Sequence, residues 1–114
     1  MTKGKVVLLP FPFDDLSTAK VRPAVCLTEP IGEHRHVVVA FITSQLPAVP
    51  LASDVLLLPT DAEFAASGLR VASAIRLHRL LTVTTGLLRR QLGELGPSYR
   101  HAVEARLKAL FALL

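Results

Sequence analysis

The run Val6-Val7-Leu8-Leu9-Pro10-Phe11-Pro12-Phe13, then Asp14-Asp15-Leu16-Ser17, then Arg22-Pro23-Ala24-Val25-Cys26 decides the fold. Residues 6–10 read as an apolar strand that ends at two prolines, which give a β-ladder no N–H. Residues 14–20 form a polar loop, and residues 23–28 return as a second strand. Strand, loop and strand make a hairpin with Arg22 at its mouth. Arginine keeps its charge and donates five N–H groups in a flat fork that fits a phosphate two-pronged. An arginine fixed in place by the following proline is therefore a candidate site for a phosphodiester.

Outward from this hairpin the chain continues in short segments. Residues 30–35 are a turn containing Gly32. Residues 37–42 are apolar throughout and largely β-branched, which predicts a buried central strand. Thr43-Ser44-Gln45 turns polar again. Pro47 and Pro50 bracket a loop, and residues 54–58 are a fourth strand. Thr60 is placed to cap a short helix with Asp61 and Glu63 in its first turn and Gly68 at its end. Residues 73–80 alternate, with Ile75 and Leu77 facing one way and Arg76 and His78 the other. Residues 84–95 admit one helical turn and then a short strand over 91–95. Pro97 stands where a helix favours its first residue. Val103, Leu107, Leu110, Phe111 and Leu114 follow at helical spacing, with Arg100, Glu104 and Lys108 on another face. Short strands in succession closed by a C-terminal helix predict a small, strongly bent β-barrel, mainly β with one helix, and not a parallel α/β sheet.

The 114 residues read as a single domain with 51% hydrophobic and 19% charged residues, which excludes a disordered chain. The mean hydropathy of +0.46 is high, yet no apolar stretch approaches the ~20 residues of a membrane span. The surplus apolar surface points to a subunit interface. Lys3 and Lys5 before residues 6–9 suggest a signal peptide, but Pro10 and Pro12 interrupt the run and no small-residue cleavage site follows. The single cysteine, Cys26, reads as a small core residue with no disulfide partner. Cytoplasm is the expected location.

The net charge of +4 is unevenly spread. Residues 1–65 carry five Lys/Arg against seven Asp/Glu, whereas residues 66–114 carry eight against two. Such a half suits an anionic partner, nucleic acid or an acidic protein segment. It equally suits a solvated face that keeps an apolar domain in solution.

The chain resembles the MazF/PemK family of bacterial toxin ribonucleases over nearly its whole length. The resemblance is carried by residues 5–13, Asp15-Leu16-Ser17, Arg22-Pro23-Ala24-Val25, Ile42-Thr43-Ser44, Ser67-Gly68-Leu69, Ser73-Ala74-Ile75-Arg76-Leu77, residues 80–83, Gly93 and the final helix. Each fragment is short, and their order and spacing together are specific. The resemblance implies an SH3-like β-barrel acting as a homodimer. It implies metal-independent cleavage of single-stranded RNA without a cofactor, and neutralisation by a small cognate antitoxin. In that family the arginine of the Arg-Pro pair and the threonine closing the third strand are catalytic, which here are Arg22 and Thr43. The positions expected to bind RNA are Phe13, Asp15, Ser17, Lys20, Ser44, Gln45, Arg76 and His78. Three positions depart from the family pattern: Lys5 stands for an aspartate, His78 for an acidic residue, and Leu81 for an arginine. They bear on the RNA sequence that is read.

RNA supplies its own nucleophile, the 2′-hydroxyl. A fixed guanidinium and a hydroxyl aimed at the phosphate oxygens stabilise charge that appears only in the transition state. Arg22 fits that role, with Thr43 and Ser44 donating to a nonbridging oxygen. Arg22 stays protonated and is poorly suited to act as base. His78 has a suitable intrinsic pKa, but an outward histidine on a strand is also an ordinary surface residue. His34, Arg35 and His36 lie at a turn without convergent carboxylates or cysteines, so no metal site is expected there. Phe11, Phe13 and Phe41 could stack on bases, with Phe41 better placed for core packing. Arg76, Arg79, Arg89 and Arg90 suit either phosphates or an acidic antitoxin tail. The reading from another class is a noncatalytic module of the same barrel, which binds RNA or poisons a protein target as gyrase-inhibiting toxins do. A housekeeping adaptor is a third.

Overall fold

The computed structural model describes residues 1–11 and 20–113, without the side chains of Phe11 and Lys20. The loop expected over 14–20 falls outside the described residues apart from Lys20, and so do Phe13, Asp15 and Ser17. The described strands are β1 (Lys5–Phe11), β2 (Lys20–Cys26), β3 (His36–Thr43), β4 (Asp54–Leu57), β5 (Ser73–Thr84) and β6 (Arg90–Glu94), followed by helix α1 (Pro97–Leu110). They form one curled antiparallel sheet in the order β4-β5-β3-β2-β1-β6. The hairpin expected from the opening run is present, with Leu9 opposite Arg22 and Pro10 opposite Val21. Pro10 does not end β1. The β6 partner stops at Leu8, whose carbonyl accepts from Arg89. By the two-residue alternation the Pro10 nitrogen faces the side where no ladder continues, so its missing N–H costs nothing there.

β3 is an interior strand, as its β-branched run predicts. Its alternate faces feed two cores. Val25, Ala40, Ile42, Ile75 and Leu77 pack with Tyr99 and Val103 of α1. Val7, Leu9, Ala24, Cys26, Val37 and Val39 pack on the other face. Each fully buried Leu, Ile or Val of these clusters contributes roughly 1.5–3 kcal/mol. Burial also pushes the Cys26 thiol up to about 11, in keeping with a core residue.

β5 is longer than the alternation suggested. Its ladder with β3 runs from His36↔Thr84 to Ala40↔Leu80 and resumes at Phe41↔Arg76. Residues 77–79 thus bulge, and the strand bends there to reach β4. The bend turns a flat sheet into a half-barrel.

A further local expectation is corrected. The helix expected after Thr60 is a single 3-10 turn, Ala65–Ser67, ended by Gly68 at φ 76°. Its acidic residues serve other elements. Asp61 accepts the Leu58 N–H and the Tyr99 hydroxyl at 2.7 Å, and the Glu63 carboxylate accepts the N–H groups of Ser98 and Tyr99. A carboxylate from a distant loop thus caps α1, whose own Gly96 has no side chain to do so. The apolar stripe of α1 is not all core: Leu110 and Phe111 are 38% and 56% exposed, because the packed face ends near Leu107. No helix among the described residues is long and apolar enough to cross a membrane.

The cap predicts a pH dependence. The Ser98 N–H holds Glu63 below the usual carboxylate range, and the Tyr99 hydroxyl followed by the Leu58 N–H does so for Asp61. The unfolded chain takes up protons at ordinary values near about 4. The stability these groups contribute is therefore complete above that value and lost as pH falls through the lowered one. Thermal melts between about pH 7 and 3 should show wild type losing its advantage over Glu63→Gln on the acid side. Parallel curves would mean that the cap contributes nothing.

Candidate active site

The site forms where β2 and β3 part. The β2–β3 register pairs Cys26 with Val39, Val25 with Ala40 and Ala24 with Phe41, and then stops. Continued by two residues, it sets Pro23 opposite Ile42 and Arg22 opposite Thr43. The Leu27 N–H donates to the Val38 carbonyl, so the odd residues of β2 and the even residues of β3 direct their backbone groups at each other. Pro23 should donate to Ile42 in this ladder and has no N–H to give. The strands open at that point.

Two adjoining hollows occupy the opening. One of about 220 Å³ is lined by Arg22, Phe41, Thr43, Gln45, Arg76 and Arg79 among others. The second, of about 270 Å³, shares Arg22, Ile42, Thr43 and Gln45 and adds Ser44 and Arg70. No Asp or Glu is among the described residues lining either one. Four arginines around the hydroxyls of Thr43, Ser44 and Ser73 make a strongly cationic cleft.

Thr43, Arg76 and Arg79 are each held by an identifiable neighbour. Thr43 ends β3, and its Oγ1 accepts the Gln45 N–H at 3.1 Å. The hydroxyl proton thus remains available for a ligand oxygen. Across the sheet, Phe41 pairs with Arg76 and Arg76 with Asp54, so these three share one face. Arg76 Nε donates to Asp54 Oδ1 at 2.8 Å, with the aspartate side chain fully buried. The other Asp54 oxygen accepts the Leu51 N–H, and the Asp54 carbonyl accepts from Arg106. The pair leaves the two terminal nitrogens of Arg76 for the cleft. The Arg79 guanidinium lies 4.8 Å from the centroid of the Phe41 ring, a cation–π contact that fixes both.

Of the residues expected to bind RNA, Ser44, Gln45 and Arg76 join Arg22 and Thr43 at the cleft. His78 does not: it stands exposed in the β5 bulge, away from the described lining. Lys20 opens β2, two residues before Arg22. The sequence reading did not find Asp54 and Arg70. Asp54 read only as the start of a strand, although an acidic residue beginning an apolar strand was a usable signal. Arg70 follows the Ser67-Gly68-Leu69 fragment, and the left-handed Gly68 turn brings it to the cleft.

A curled six-stranded antiparallel half-barrel with a closing C-terminal helix is the fold of solved bacterial toxin structures. The chain superposes on the Mycobacterium tuberculosis toxin MazF-mt6 with a TM-score of 0.74 at 24% identity, covering 96% of this chain and 98% of that one. It matches an endoribonuclease in complex with its cognate antitoxin from a mycobacterial species with a TM-score of 0.72 at 16% identity, covering 100% and 97%. A MazE–MazF crystal structure from Deinococcus radiodurans matches with a TM-score of 0.68 at 18% identity, covering 100% and 97%. No curated protein matches the sequence. The family model for the PemK-like, MazF-like toxin of type II toxin-antitoxin systems matches residues 2–111. The chain belongs to that family.

Proposed function

We propose that this toxin is an endoribonuclease that cleaves single-stranded RNA without a metal, at the cleft between β2 and β3. The observation that carries the reading is the meeting of Arg22, Thr43 and Arg76 around one hollow with no carboxylate in its described lining. The substrate's 2′-oxygen attacks the adjacent phosphorus as its proton passes to solvent. The P–O5′ bond breaks and the 5′-oxygen takes up a proton. The products are a 2′,3′-cyclic phosphate and a 5′-hydroxyl end. Arg22 and Thr43 donate to the nonbridging oxygens, whose charge grows in the phosphorane. Arg76 and Arg79 hold the flanking phosphates. Lys20, Ser44 and Gln45 extend the strand's path, and Phe13, Asp15, Ser17 and His78 also contact the RNA.

The toxin acts as a homodimer and is neutralised by a small antitoxin whose acidic segment suits the same cationic cleft. Exposed Leu110, Phe111 and Leu113 fit a subunit contact, which a solution mass measurement checks. The deciding assay incubates the purified protein with long mixed-sequence RNA in EDTA and maps the ends. Discrete cuts with cyclic phosphate and 5′-hydroxyl termini are expected. RNA left intact, with or without divalent metal, would favour the noncatalytic binding module.

A further inference from the structure

We infer that the Ile42 backbone carbonyl is the acceptor that holds the nucleophilic 2′-hydroxyl, and that Pro23 is the positioning residue that leaves this carbonyl without its ladder donor. The inference rests on the nuclease reading above. Guanidiniums and the threonine proton account for the phosphate oxygens, but none of them can receive a hydrogen bond from the ribose.

The backbone supplies the missing acceptor. Val38 turns both its N–H and its carbonyl towards β2, the first to Thr28 Oγ1 and the second to the Leu27 N–H. Ile42 lies four residues further along the same strand and turns its carbonyl the same way. The residue that should donate to it is Pro23, which has no N–H. Ile42 is 4% exposed, yet it lines both hollows between Arg22 and Thr43. An acceptor without its ladder donor, set in a cleft of donors, fits a ligand that offers a proton beside a phosphate. The 3′-phosphodiester of a ribonucleotide has that pattern and a deoxyribonucleotide lacks it. An amide oxygen is far too weak a base to remove the proton, which still passes to solvent as the 2′-oxygen attacks; the carbonyl acts before that step. It orients the hydroxyl for in-line attack and selects ribose.

The test changes one N–H. Pro23→Ala restores a donor opposite Ile42. Lactic acid introduced at position 23 carries the alanine side chain with an ester oxygen in place of the N–H, so it frees the ring without restoring the donor. Cleavage of a single-stranded RNA oligonucleotide gives kcat and KM. Affinity is measured for the same oligonucleotide carrying one 2′-deoxyribose at the cut. Pro23→Ala should lower kcat by about tenfold or more with the deoxy affinity unchanged, and the lactate variant should recover most of the loss. An unchanged kcat, an equal loss in both variants, or a parallel loss of deoxy affinity would overturn the inference. Should wild type bind RNA without cutting it, the nuclease reading falls alone. The inference is then decided by affinity: all-ribose RNA should bind several-fold tighter than the deoxy form, and only Pro23→Ala should abolish that difference. Equal affinities would overturn it.

Discussion

Replacing Arg22 with alanine is expected to reduce RNA cleavage by roughly 10³-fold or more, equivalent to about 4 kcal/mol of transition-state stabilisation. The size follows from what Arg22 would face. Phosphorane formation places extra charge on nonbridging oxygens inside a cleft bounded by the apolar Ile42 and Phe41, where a guanidinium acts more strongly than in water. Arg22→Lys keeps the charge and loses the two-pronged fork, so it should retain only a fraction of the activity. The fold should not notice. Arg22 is exposed at the splayed end of β2, and the melting temperature should stay within about 2 °C. Full cleavage by the alanine variant would remove Arg22 from the mechanism.

The largest stability losses are expected at two glycines outside the lining of the cleft. Gly68 has φ +76°, and a Cβ there would stand 2.0 Å from the Leu92 carbonyl oxygen. A Cβ on Gly93 would stand 2.2 Å from the Ala66 carbonyl oxygen and 2.5 Å from the Ser67 carbonyl carbon. In both cases the obstacle is backbone, which cannot swing aside. The two glycines let the 3-10 turn lie directly on β6, and that packing supports residues 69–71 where they enter the cleft. Gly68→Ala combines the clash with left-handed strain and should cost roughly 3–5 kcal/mol, with Gly93→Ala somewhat less. For a domain of this size the melting temperature should drop by on the order of 15 °C. Gly86 has only the Thr84 hydroxyl at 3.8 Å, so Gly86→Ala serves as the neutral control. A Gly68→Ala variant as stable as that control would refute the close packing.

The hairpin, the central β3 strand, the strand over residues 73–80 and the start of α1 at Pro97 were legible because each depends on local periodicity or on a proline. The short helix after Thr60 was misread because Asp61 and Glu63 look like first-turn residues. Their acceptors are used instead by Tyr99, Ser98 and Leu58, two of which lie more than thirty positions away. Periodicity marked the apolar stripe of α1 but does not report how far the opposing surface extends, and Leu110 and Phe111 lie beyond it.

For the site, the residue types at Arg22 and Thr43 carried the reading, and their order along the chain carried the family. By itself the sequence determined a run of short strands closed by a helix, an arginine-rich second half, and the arginine and threonine of the cleft. The strands, the helix and the charge are properties of composition and spacing, whereas Thr43 was picked out by the resemblance to the toxin family. Only the tertiary structure decided that Asp54 anchors Arg76 and that Arg79 lies on Phe41. It alone shows that the β2–β3 ladder stops at Ala24 and Phe41, one residue short of Pro23 and Ile42. These are relations across strands, set by register and by the bend in β5, and a one-residue shift in register would have undone each of them.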